Sequence, residues 1–153
     1  MTLLFRLLSR WPLGPLHALG WALGWLAWGL SPTYRQRLRA HAALAGYGFA
    51  QVRAAVGQAG RLVAELPRLW LGPPVPIGWD NAPCLERAFE AGRGVLFLTP
   101  HLGCFEVTAQ GMARDYGTRY GPLTVLYRPA RQAWLAKVMT ASRQRPGLRT
   151  APT

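Results

Sequence analysis

"GVLFLTPHLGCFE", Gly94 to Glu106, is the stretch that decides how the second half of this chain reads. Gly94–Leu98 is an apolar run of the length expected for a strand covered on both faces, closed by Thr99 and Pro100. A segment of helical character follows. Strand, turn and helix begin an alternating α/β unit, in which sites gather where strand carboxyl ends lead into helix N-termini. His101 stands at that place and Glu106 follows five residues later. On one continuous helix they would be rotated apart by about 140°, given about 3.6 residues per turn. Pro100 and Gly103 let the chain bend and bring the carboxylate back to the imidazole. A carboxylate on one ring nitrogen fixes the tautomer and leaves the other as a general base. Simpler roles also suit them, His101 closing a strand and Glu106 favouring the first turn of a helix.

Downstream, the pattern predicts a helix from about Cys104 to Tyr116, a second strand "PLTVLY" ending at Tyr127, and a helix through Arg131 to Ser142. Parallel strand ends share an edge, so Arg128 in "LYRPARQAW" is expected to face the same site, where it would pair with phosphate or developing negative charge. A solvated loop arginine is the alternative. Upstream, the connection "GPPVPIGWDNAP" precedes a short helix from Pro83 to Ala91. Two strands do not complete a parallel sheet, and "RQRPGLRTAPT" offers no clear finishing element. We therefore expect the N-terminal part of a longer protein.

The first half differs in kind. From Trp11 to Leu30 there is no formal charge if His17 is neutral, over about the length that crosses a bilayer core as a helix. Pro12, Pro15 and four glycines dilute the run, while Trp11, Trp21, Trp25 and Trp28 suit a membrane interface. Residues 1–30 are expected to be a retained membrane anchor. A secretory signal peptide is the rival, opposed by Arg35, Arg37 and Arg39 directly behind the run and by the lack of an A-x-A site there. Ser31 as N-cap and Pro32 at the first helical position start a basic helical segment over 31–72, divided at Gly46 and Gly48. Residues 73–153 then form the α/β part.

Charge bounds the partners. Of 153 residues, 18 are Lys or Arg and 6 are Asp or Glu, a formal net charge of +12. Only Lys137 is a lysine, and no acid precedes Glu65. Anionic lipid head groups, an acidic carrier protein and nucleic acid all fit such a surface. Nucleic acid is the weakest, because the basic residues are scattered and no recognised motif occurs. Cys84 and Cys104 lack metal or disulfide spacing, and His17 and His41 lie far from His101 without an HExxH pattern, so no metal is expected.

Taken together, "GRGVLFLTPHLGCFE" and "VLYRP" resemble two blocks of the lipid A biosynthesis acyltransferase family, the late lauroyl/myristoyl transferases of lipopolysaccharide assembly. The resemblance implies an α/β fold: an N-terminal membrane-associated helix, a helical segment, then a parallel β/α acyltransferase core, here truncated. It implies an enzyme at the cytoplasmic face of a Gram-negative inner membrane. The reaction would move a fatty acyl group from acyl carrier protein to a hydroxyl of a phosphorylated glycolipid, without metal or organic cofactor. His101 matches the general base and Glu106 its orienting acid. Arg128 matches the arginine of the second block, which we assign to substrate phosphate or to the thioester oxyanion. This chain departs from the family at Gly103–Glu106, "GCFE" where Gly-Asn-Trp-Glu is common, and it lacks the family's later acidic-Gln block. Acyl transfer to a glycerophospholipid or other lipid is the nearest alternative, and a noncatalytic membrane-binding fragment is the alternative of another class.

Overall fold

The computed structural model describes residues 2–100 and 102–153, Thr2 by its backbone alone. Residues 3–72 and 73–153 form two compact units. The first is built from α1 (Thr2–Leu8), α2 (Leu13–Leu30), α3 (Pro32–Leu44), the short α4 (Phe49–Val52) and α5 (Ala54–Leu71). Its core is the pairing of α2 with α5. Glycines make that pairing close: a Cβ on Gly20 would lie 2.6 Å from the Gly60 carbonyl oxygen and 2.7 Å from the Ala64 Cβ, and one on Gly57 would run into the Trp21 ring. Backbone therefore packs on backbone, flanked by the fully buried Leu16 and Val56. Ser31 caps α3 by accepting a hydrogen bond from the Tyr34 amide at 3.2 Å, with Pro32 in the first turn. Arg39 lies 5.5 Å over the rings of Trp28 and Phe49, which stack at 4.5 Å.

A membrane-spanning form of the expected anchor is corrected here. Among the described residues no helix is long and apolar enough to cross a membrane. The helix begins only after Pro12 and has 18 residues, about 27 Å at about 1.5 Å per residue, and its glycines and tryptophans lower its hydropathy. What reads in the sequence as a diluted span is, on one side, a helix-packing seam.

The second unit holds α6 (Ala82–Glu90), α7 (Glu106–Asp115), α8 (Gly117–Tyr120), β1 (Leu123–Tyr127), α9 (Ala133–Arg143) and β2 (Leu148–Pro152). β1 and β2 pair in parallel from Leu123↔Leu148 to Tyr127↔Pro152, with α9 as the crossover. Gly147, at φ +76°, makes the turn into β2. Aromatic rings fill the space beside α6: Phe89 stacks on Tyr120 at 4.6 Å and lies 5.7 Å from Tyr116.

The expected parallel β/α core is overturned. The chain is mostly helical, and two short parallel strands are all the sheet among the described residues. Residues 94–98 are not a strand, and β1 pairs instead with β2, a segment whose sequence carries no strand pattern. Val95 and Phe97 are half-buried, Phe97 reaching Phe89 at 5.9 Å. Leu96 and Leu98, however, are 84% and 89% exposed. An apolar run reads as a doubly covered strand only if something covers its second face, and here nothing described does.

One polar junction braces this unit. Trp79 Nε1 donates to Asp115 Oδ2 at 2.8 Å, Arg114 Nε donates to Oδ1 at 2.6 Å, and Arg114 Nη1 donates to the Val75 carbonyl at 2.9 Å. These bonds, Arg114 first and Trp79 second, hold the Asp115 carboxyl below its ordinary value of 3.8. The stability so linked is present above the unfolded carboxyl's titration and is lost as pH falls through the lower, folded one. Trp79→Phe removes one donor, so the Asp115 carboxyl resonance will titrate at higher pH by carbon-13 NMR; an unchanged midpoint would remove Trp79 from this role.

Candidate functional site

The candidate site centres on the start of α7, which Arg143 ties to the carboxyl end of β1. His101 lies outside the described residues. Around it, Thr99, Pro100 and Leu102 are exposed, and Gly103 takes φ +57°, a left-handed conformation that a side chain disfavours. That residue redirects the chain. Cys104 and Phe105 then lead into α7, their carbonyls accepting from the Val107 and Thr108 amides at 3.2 and 3.1 Å. Glu106 is the first residue of α7, where the helix dipole favours a negative charge.

The Glu106 carboxylate is withdrawn from water and held by a residue the sequence reading did not single out. Arg143, the last residue of α9, donates from Nη2 to Glu106 Oε1 at 2.7 Å, with side-chain exposures of 14% and 11% for Arg143 and Glu106. The same guanidinium lies 5.2 Å from the centre of the Tyr127 ring at the end of β1. One cation thus ties α7, α9 and β1 together. Arg143 Nη1 is buried and has no hydrogen-bond partner among the described residues.

Arg128 follows β1 directly and is exposed, one residue beyond the ring against Arg143. Glu106 and the strand end preceding Arg128 are therefore brought together through Arg143. The sequence carried one faint sign of it: a carboxylate that leaves water needs a cation, and "SRQR" at the end of the last predicted helix offers two.

No family model, curated protein or solved structure matches this chain.

On the same helix as Glu106, Val107, Gln110 and Gly111 line a cavity of about 450 Å³, shared with Ile77, Arg114 and Arg145. Its wall is mainly apolar and includes Arg114 and Arg145. Among the described residues no group of three or more His, Cys, Asp or Glu is placed to hold a metal ion.

Proposed function

We propose that the chain is an acyltransferase that moves a fatty acyl group from acyl carrier protein to a hydroxyl of a lipid A precursor, at the cytoplasmic face of a bacterial inner membrane. The observation that carries the reading is the Glu106 carboxylate, 11% exposed and ion-paired at the start of α7, five residues beyond His101. Next to it stand the two sequence blocks and the strand end that presents Arg128. His101, oriented by Glu106, takes the proton of the acceptor hydroxyl as its oxygen attacks the thioester carbonyl. The tetrahedral intermediate then collapses, breaking the carbon–sulfur bond, and the imidazolium returns the proton to the departing thiolate. Arg128 stabilises the oxyanion or binds the acceptor phosphate. The apolar cavity beside α7 offers room for hydrocarbon.

The test is transfer of a labelled acyl group from acyl carrier protein to the phosphorylated glucosamine-disaccharide lipid, read by mass spectrometry. One added acyl mass supports the reading. Its absence, with transfer to a glycerophospholipid instead, would move the acceptor. Absence with every lipid, from folded protein bound to vesicles, would leave the noncatalytic membrane-binding reading.

Membrane contact in this reading is peripheral. Opposite its glycine seam, α2 exposes Leu19, Leu23, Leu26 and Leu30, spaced i, i+4, i+7 and i+11 along one stripe, and Arg37 on α3 is exposed close behind it in sequence. In this proposal the leucine stripe rests against the apolar edge of the interface while the basic residues of α3 meet anionic head groups. Leu23→Glu with Leu26→Glu will weaken sedimentation with vesicles of phosphatidylethanolamine and phosphatidylglycerol by about tenfold or more, since each leucine contributes about 1.5–3 kcal/mol on full burial. Unchanged sedimentation would show that another face meets the lipid.

A further inference from the structure

The Arg143–Glu106 pair is an expensive way to join two helices. Both side chains are largely removed from water, and a buried ion pair is often no more stabilising than apolar side chains of the same volume. The guanidinium Nη1 is buried as well, so the whole head group is committed to this junction. Its Nη2 takes one carboxylate oxygen at 2.7 Å, and contact with the Tyr127 ring restrains the guanidinium from the strand side.

We propose that Arg143 is a positioning residue of the site, fixing the rotamer and plane of the Glu106 carboxylate so that this carboxylate can orient the His101 imidazole. The inference rests on the proposed His101–Glu106 dyad for its consequence at the imidazole and on the Arg143–Glu106–Tyr127 geometry for the placement of the carboxylate. Arg143 touches no reacting atom. It acts through Glu106, from a position 37 residues away in sequence, and links that carboxylate to the end of β1.

The experiment compares Arg143→Met, which keeps volume, and Arg143→Lys, which keeps charge, with Glu106→Gln and the unaltered chain. Two quantities are read: kcat and KM for acyl transfer, and the nitrogen-15 resonances of the His101 ring, with His17 and His41 as internal references. Arg143→Met is expected to lower kcat about 100-fold, as a misplaced catalytic group does, with KM changed by no more than about threefold. Arg143→Lys restores part of that loss. The His101 ring is expected to pass from one tautomer to an averaged signal in Arg143→Met as it does in Glu106→Gln.

Full kcat in a folded Arg143→Met protein would overturn the inference and leave the acyl-transfer reading standing. If the unaltered chain transfers no acyl group but its His101 signal still responds alike to both substitutions, the positioning role is supported and the reaction is another. If His101 ignores both, the role and the dyad fall together.

Discussion

For the acyltransferase proposed above, His101→Ala is expected to lower acyl transfer by about 10²–10⁴-fold, the usual contribution of a general base, with thermal stability close to that of the unaltered chain. Glu106→Gln is expected to give a different result, because two effects combine. In the proposed dyad it loses the orienting negative charge and so the rate falls, and it leaves the Arg143 guanidinium, ion-paired in the unaltered chain, beside a neutral amide. Breaking one partner of a buried pair costs about 3–5 kcal/mol; at 14% and 11% exposure we expect about half of that after solvent screening. Calorimetry and turnover together separate the two residues: a loss of rate alone at 101, a loss of both rate and stability at 106. Equal stability losses would place His101 among structural residues, and full activity of His101→Ala would dismiss it as the base.

Gly60→Ala unfolds the first unit more than any exposed change. Its Cβ would be driven into the Gly20 carbonyl and lie 2.8 Å from the Gly24 amide nitrogen, and neither backbone atom can swing aside as a side chain end would. Overpacking costs about 1–3 kcal/mol where side chains can adjust; against backbone, we expect about 3 kcal/mol or more even after the helix propensity gained over glycine. A Tm lower by more than about 10 °C follows for a unit of this size. Gly29→Ala is the control, since its Cβ would meet nothing within 4 Å and alanine favours a helix. A neutral Gly60→Ala would mean that α2 and α5 do not meet backbone to backbone.

These glycines show where reading from sequence stops. Ser31 and Pro32 announce their helix because a cap is a local matter, settled within three residues. Gly20 and Gly24 are different: whether a glycine dilutes a span or opens a seam depends on what faces it, and Gly60 lies 40 residues from Gly20. β2 was illegible for a related reason. "LRTAP" is short and carries arginine and proline, yet Pro152 stands opposite Tyr127 at the end of the ladder, where a missing amide is tolerated. "GVLFL" erred in the other direction, its apolar run being a sign of burial that only half its side chains obtain. At the site, the turn at Gly103 was readable from residue type, whereas Arg143 is one arginine among many until α9 is folded against α7.

One small contact in the first unit has a consequence for how the molecule behaves in solution. Glu65, the first acid in the chain, meets His17 Nε2 at 2.6 Å between α5 and α2, and so is occupied within the helix pair. No other carboxylate lies in residues 3–72 to temper the surrounding arginines. Each guanidinium that reaches a phosphate displaces a condensed counter-ion, so adhesion to any polyanion draws on released ions and falls steeply as salt rises. Residues 3–72 are therefore expected to carry stray nucleic acid through a low-salt preparation, and raising the salt in a vesicle-binding experiment separates this ionic adhesion from any apolar contact.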